Sequence, residues 1–170
     1  LQVISPTQIW KACDTALQLQ VREVNQVVQQ DVTVNATQDC PQLKVDVGID
    51  RLRRCVNNTI LVKYSNLGSA IAQNAYVEIT LDPYLIYKSS TVSAVTMGDN
   101  RYRFLLGDVE AGGQGNFTII AELRCDNTIL GQTHCVRSHI YPDNYCENFN
   151  PLWDESSIQT TAECKGNSVV

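Results

Sequence analysis

The stretch Ala75-Tyr76-Val77-Glu78-Ile79-Thr80-Leu81-Asp82-Pro83 decides the fold of this chain. Its apolar and more polar residues alternate, so that positions 77, 79 and 81 share one face of an extended strand and positions 76, 78 and 80 share the other. Pro83 ends the strand because proline has no N–H to donate to a sheet ladder. The segment therefore predicts a strand with one buried face, followed by a turn.

Working outward, strand patterns of the same kind recur from about Val45 to Tyr141, with turn signals between them and no long helical pattern. The clearest strands are Thr59–Tyr64, Leu85–Ser89, Arg101–Leu106, Asn116–Cys125 and His134–Tyr141, and the clearest turns are Ser65–Gly68, Met97–Asn100 and Gly112–Gly115. Short strands at this spacing predict an all-β antiparallel sandwich.

The first forty residues are less regular than the centre. Leu17, Leu19 and Val21 alternate with polar residues, which favours a strand. A helix through Val21–Val28 competes with it, and Thr7–Ala16 fits a helical turn or two. The abundance of β-branched residues, Asn and Thr favours strands.

Composition excludes several classes of partner. Charged residues make up 18% of the 170-residue chain and the net charge is −5, whereas a typical soluble domain carries about 25% charged residues. The densest basic cluster is Arg51, Arg53 and Arg54, which is too small to follow a phosphate backbone. No apolar run approaches the ~18 residues of a membrane span. We therefore expect neither nucleic-acid binding nor membrane insertion, and a chain that folds without a cofactor.

Seven cysteines are scattered along the chain without a CxxC pair: Cys13, Cys40, Cys55, Cys125, Cys135, Cys146 and Cys164. Such cysteines favour disulfides in an oxidising, extracellular compartment over a zinc site. Because seven is odd, at least one thiol is free or bridges to another chain. The candidate pairs are Cys125 with Cys135 across a hairpin loop, Cys146 with Cys164, and Cys40 with Cys55 or Cys13, and the connectivity stays open.

No catalytic or metal site is predicted. His134 and His139 lie five residues apart on a predicted strand, so they point to opposite faces, and Cys135 is expected in a disulfide. The loop carboxylates lack the dense spacing of a calcium loop and are expected to be solvated: Asp99, Asp108, Asp126 and Asp143. We predict that the protein is not an enzyme and holds no cofactor or metal.

The large aromatic residues have two interpretations. They form either a ligand platform or part of the core and its corners, and the second is favoured. The residues are Tyr84, Tyr87, Tyr102 and Trp153. Three Asn-x-Thr triplets, at Asn35, Asn57 and Asn116, match the N-glycosylation acceptor.

The centre of the chain resembles the conserved-repeat domain of bacterial surface proteins. The family's "tyrosine, x, asparagine, x, glycine" pattern is matched by Tyr64-Ser65-Asn66-Leu67-Gly68, and its "leucine, x, tyrosine, x, serine, serine" pattern by Leu85-Ile86-Tyr87-Lys88-Ser89-Ser90. Leu106-Gly107 with the following glycines and strand resembles its second half. The stretch around Leu130–Val136 with Trp153–Ile158 is similar to modules in long secreted proteins of the Bacteroidota. The resemblance covers about residues 40–170.

This resemblance implies an immunoglobulin-like fold, a tandem arrangement and export to the cell surface, and it implies no activity. It divides the chain into an N-terminal extension or strand from a neighbouring module (1–39), an immunoglobulin-like β-sandwich (40–143), and a linker with the first strand of a next module or an intersubunit strand (144–170). Asp14-Thr15-Ala16 also resembles the short O-glycosylation site of Bacteroidota, with Thr15 as acceptor.

The sequence thus predicts a non-catalytic structural or adhesive module whose partners are neighbouring modules. One alternative is a filament subunit joined to identical subunits by strand exchange, through Leu17, Leu19, Val21, Val169 and Val170. A second alternative is an accessory domain that binds surface glycans.

Overall fold

The computed structural model describes residues 9–13, 16, 18–20, 27–129, 131–143 and 146, together with the backbone of residues 164–165 and 168–169. These residues contain strands and no helix, so the all-β prediction is confirmed. The strands are β1 (Trp10–Ala12), β2 (Val34–Ala36), β3 (Leu43–Ile49), β4 (Asn57–Asn66), β5 (Ala72–Thr80), β6 (Leu85–Ser90), β7 (Ala94–Gly98), β8 (Arg101–Val109), β9 (Gln114–Leu123), β10 (Arg137–Tyr141), β11 (Cys164–Lys165) and β12 (Ser168–Val169).

Two four-stranded antiparallel sheets form the sandwich. One has the order β3-β4-β9-β6 and the other β10-β5-β8-β7. Each sheet therefore mixes strands from early and late in the chain, and neither can form before the chain has folded back on itself. The pairs β1–β2 and β11–β12 form separate two-stranded sheets.

The core lies between the two four-stranded sheets. Phe104 of β8 and Phe117 of β9 come from different sheets, and their ring centroids are 4.9 Å apart. The decisive strand β5 contributes Val77 and Ile79, both fully buried, while its positions 76, 78 and 80 are only partly buried. The alternation predicted for this strand is confirmed, and the turn after it forms where Asp82 accepts a hydrogen bond from the Tyr84 amide.

Asn66, at the end of β4, joins three chain segments at one end of the sandwich, namely the residues before β3, the loop 66–70 and the end of β8. Its side chain is fully buried, and its Oδ1 accepts hydrogen bonds from the amides of Gln42 and Gly68 while its Nδ2 donates to the carbonyls of Ala70 and Val109. All four hydrogen-bonding positions of the amide are thus used. The asparagine of the "tyrosine, x, asparagine, x, glycine" pattern therefore has a structural role here.

Gly68, the glycine of the same pattern, lies where there is no room for a side chain. A Cβ on Gly68 would lie 2.2 Å from the carbonyl oxygen of Cys40 and 2.4 Å from the amide nitrogen of Gln42. Both are backbone atoms, so no side-chain movement would relieve the clash. The pattern thus marks a point where two chain segments cross in close contact.

Four sequence-based expectations are corrected. β10 begins at Arg137 rather than at position 134, because Asp82 holds the His134 ring and the Cys135 amide outside the ladder. Residues 114–115 belong to β9 rather than to a loop, and Trp10–Ala12 is a strand paired with β2 rather than a helical turn. β7 has no counterpart among the predicted strands.

Across the residues that the structure describes, there is no helix long and apolar enough to cross a membrane.

Candidate functional site

Within the part of the chain that the structure describes, a polar cleft on the outer surface of the β3-β4-β9-β6 sheet is a candidate for a ligand site. Strand register aligns Asp46, Lys63 and Asn116 in one row across β3, β4 and β9, and places Ser65 beside Gln114 in the next. The side chains of these positions point away from the core because the adjoining positions 62 and 117 point into it. The cleft has a volume of about 560 Å³.

Tyr64 and Gly115 complete the lining of the polar cleft. They are register partners on β4 and β9, and a Cβ at position 115 would lie 2.3 Å from the Tyr64 hydroxyl and 2.4 Å from the adjoining ring carbon. The absence of a side chain at 115 therefore lets the tyrosine ring lie directly on the neighbouring strand.

The charges of the polar cleft are nearly balanced. Asp46 is 3.3 Å from the Lys44 ammonium, and both side chains are about half exposed. Lys63 forms no ion pair with any residue that the structure describes. The remaining lining side chains are a hydroxyl and two amides, which both donate and accept hydrogen bonds.

A stack of aromatic and charged side chains covers the outer face of the other sheet. The rings of Tyr76 and Tyr141 stack with centroids 4.7 Å apart, and the Arg103 guanidinium lies 4.3 Å from the Tyr76 centroid. Arg103 also donates from Nε and Nη2 to one oxygen of Glu78, at 3.1 and 2.7 Å. His139 packs on Tyr141 with a centroid distance of 4.5 Å. The rings of the stack pack against one another and against Arg103, so little of their aromatic surface is left for a ligand.

Contacts within the stack raise the pKa values of the Arg103 guanidinium and the Tyr141 hydroxyl. The hydrogen bonds to Glu78 raise the pKa of the Arg103 guanidinium. Burial raises the pKa of the Tyr141 hydroxyl, and the Glu78 and Asp143 carboxylates raise it further. The raised pKa values mean that the Arg103 guanidinium and the Tyr141 hydroxyl both keep their protons near neutral pH.

Asp82 organises the end of the sandwich where His134 and Cys135 lie. Its Oδ1 is 3.1 Å from His134 Nδ1 and accepts from the Tyr84 amide at 2.9 Å, and its Oδ2 accepts from the Cys135 amide at 3.3 Å. Burial pushes the pKa of Asp82 up, but the hydrogen bonds from Tyr84, His134 and Cys135 outweigh it, and the pKa lies below its ordinary value of 3.8.

This arrangement predicts a pH-dependent stability. We expect Asp82→Ala to lower the free energy of unfolding by about 3 kcal/mol at pH 6, because charge-assisted hydrogen bonds are lost. A carboxyl whose pKa is lower in the folded chain stabilises above its unfolded pKa and stops doing so as the pH falls through the folded value. Urea unfolding at pH 6 and pH 2.5 should therefore show the gap to wild type narrowing in acid. Asp126→Ala, an exposed carboxylate, is the control, and a gap of equal size at both pH values would contradict the assignment.

The residues considered for catalysis or metal binding are not brought together. His134 contacts Asp82, whereas His139 lies on the stack with its Nε2 2.6 Å from Asp143. Of the other candidate calcium ligands, Asp108 lies in β8 rather than in a loop, and Asp126 contacts Arg124. Among the described residues no three His, Cys, Asp or Glu side chains are grouped as a metal site.

The tyrosines considered for a ligand platform belong to the core margin, as the favoured interpretation predicted. Tyr84, Tyr87 and Tyr102 are partly buried against the core, and the last two stack with centroids 4.5 Å apart. The three candidate N-glycosylation asparagines, at positions 35, 57 and 116, are all exposed.

Two disulfides connect distant parts of the chain. Cys40 pairs with Cys146, and Cys55 pairs with Cys125, with Cα–Cα distances of 5.5 and 4.8 Å. The candidate pairs Cys125–Cys135, Cys146–Cys164, Cys40–Cys55 and Cys13–Cys40 are therefore wrong. The antiparallel pairing of β4 with β9 brings position 55 close to position 125. Cys125 therefore bonds to Cys55 rather than to Cys135 across the hairpin loop. Cys13 and Cys135 have free, exposed thiols.

The disulfides indicate an oxidising environment. They also differ in accessibility, since Cys146 is 4% exposed whereas Cys55 and Cys125 are both exposed. A reductant therefore reaches the Cys55–Cys125 bridge more easily than the Cys40–Cys146 bridge.

Several sequence-based candidates lie outside the described residues, namely Thr15, Leu17, Val21, Trp153 and Val170. Leu19 is described and lies outside any strand. The backbone of Val169 pairs with that of Cys164 in the β11–β12 pair.

Sequence reasoning did not find the polar cleft. Alternation along β4 and β9 puts Lys63, Ser65, Gln114 and Asn116 on the solvent side, but only the strand register brings them side by side. No family model matches the chain, and neither does any curated protein.

Proposed function

We propose that this chain is a non-catalytic structural and adhesive module of an extracellular bacterial surface protein, arranged with neighbouring modules. The single observation that supports it best is the position of the Cys40–Cys146 disulfide. Cys40 precedes β3, the first strand of the sandwich, and Cys146 follows β10, the last. A covalent bond thus joins the points where the chain enters and leaves the sandwich.

Such a bond suits a module that is pulled from both ends. Tension along the chain passes from one cysteine to the other through the disulfide and bypasses the hydrogen bonds of both sheets. Closing a loop of 106 residues also disfavours the unfolded chain by about 4–5 kcal/mol. Surface proteins work under shear and without chaperones, and both properties serve them there. The resemblance of residues 40–170 to the bacterial conserved-repeat domain agrees with this role.

The experiment that tests the proposal is to stretch single chains between their two ends, with the disulfides intact and after reduction. A sandwich that stays folded under tension only while the Cys40–Cys146 bond is present supports the tension-bearing role. A sandwich that unfolds in the same steps whether oxidised or reduced contradicts it.

A filament subunit is the second candidate, favoured by the edge strand β7. It is the last strand of its sheet, contains no charged residue, and exposes Val95 by 48% and Met97 by 37%. Natural edge strands usually carry a charge or a proline that prevents another strand from pairing with them. A strand from an identical subunit could pair here through its backbone.

The edge-strand proposal predicts a specific loss of assembly. Wild-type protein should show concentration-dependent growth in light scattering and filaments in negative-stain images, and Val95→Lys should abolish both by placing a charge on the edge. Leu105→Lys, which changes an exposed apolar residue of the adjacent strand β8 away from the edge, is the matched control and should still assemble. A protein that stays monomeric at every concentration would exclude the filament.

A further inference from the structure

We infer that the polar cleft on the β3-β4-β9-β6 sheet binds a short segment of a neutral carbohydrate chain. This inference rests on the proposed adhesive role and names its ligand class. The volume of about 560 Å³ falls within the ~300–1,000 Å³ range of small-ligand sites.

The chemistry of the lining selects the ligand class. Ser65, Gln114 and Asn116 supply a hydroxyl and two amides, each of which donates and accepts hydrogen bonds. Neighbouring hydroxyls of a sugar do the same, so they match these groups in either direction. An apolar ligand would leave these polar groups without partners, which costs free energy.

The charged groups of the polar cleft do not suit a polyanion. Asp46 and Lys63 bring one negative and one positive charge, and Lys44 adds a second ammonium next to Asp46. A phosphate or a polyanion is held by several converging cations or a bidentate arginine, and no arginine lines this cleft.

The strands hold the lining groups in place before a ligand arrives. Asp46, Lys63 and Asn116 are register neighbours on three adjacent strands, so their Cβ atoms are spaced by about 5 Å across the sheet. The Tyr64 ring packs against the core on the other face of β4, so the side chains that face the cleft are polar. The backbone positions are therefore preset, and binding has to order only the side-chain rotamers.

The test is affinity electrophoresis of the full chain through gels that contain neutral polysaccharides (galactomannan, xylan or mixed-linkage β-glucan). At least one should retard the wild type, and titration calorimetry with the matching hexasaccharide should give saturable binding. Gln114→Ala with Asn116→Ala should weaken that binding at least tenfold. The matched control changes two exposed amides far from the cleft, Gln73→Ala with Asn57→Ala, and should bind like the wild type.

Three outcomes would overturn the inference. They are no retardation by any neutral polysaccharide, equal binding by the cleft variant and the control, and binding confined to an acidic polysaccharide such as alginate. Because the four substituted side chains are exposed, thermal unfolding should confirm that both variants fold. Stretching experiments need no carbohydrate, so a failed binding test leaves the tension-bearing role standing and a failed stretching test leaves the glycan result standing.

Discussion

Stretching a single oxidised chain by its two ends should give no unfolding step for the residues between Cys40 and Cys146. The bond between these cysteines closes a loop of 106 residues, and tension on the chain never reaches the strands inside it. After full reduction the same loop should extend by about 360 Å, because an extended chain spans ~3.4 Å per residue. Optical tweezers or atomic-force spectroscopy would measure the step directly.

The second disulfide provides an internal control for this measurement. In Cys40→Ser with Cys146→Ser, the Cys55–Cys125 bond still locks 70 residues, so only the difference between the two separations, 36 residues, can be released. The expected step is then about 120 Å, and reductant should lengthen it to the full value. Unfolding steps of the same length in all three states would mean that the cysteines do not pair as the structure has them.

Replacing Asn66 by alanine should be among the most destabilising single changes in the chain. Four hydrogen bonds are lost at a fully buried position, and each buried bond contributes about 1 kcal/mol. We expect the free energy of unfolding to fall by about 4 kcal/mol and the melting midpoint by about 10 °C. Chemical unfolding monitored by circular dichroism would measure the free energy, and thermal unfolding with the same signal would measure the midpoint.

Asn57→Ala is the matched control for this change. Asn57 lies at the other end of the same strand and is exposed, so its loss should alter stability by less than about 0.5 kcal/mol. If the two variants unfold at the same denaturant concentration, the buried amide does not hold the end of the sandwich together.

Local patterns in the sequence were sufficient to predict individual strands but not their partners. The alternation of Ala75–Leu81 identifies β5 and its buried face, because the two-residue period of a strand is a local property. β7 was missed because its residues Ala94–Gly98 show no inward–outward alternation, and four of the five are exposed. His134–Cys135 was assigned to a strand because a sequence pattern does not reveal that Asp82, 52 residues earlier, holds His134.

The disulfides and the polar cleft depend on long-range register. Cys125 and Cys135 are close in sequence, which favours their pairing on grounds of loop closure, yet the pairing of β4 with β9 places Cys55 nearer. Lys63 and Asn116 each alternate outward on their own strand, but a shift of one residue in either strand would separate them. The motif Tyr64–Gly68 was recognisable from sequence, whereas its hydrogen-bonding role was visible only from the three chain segments that meet at Asn66.

The 5.5 Å between the Cα atoms of Cys40 and Cys146 also sets how far this unit advances a protein chain. The sandwich thus lies beside the path of the chain, because the chain enters and leaves it at nearly the same point. In a tandem array the sandwich of each copy would therefore add little length, and the segments outside the two cysteines would set the spacing.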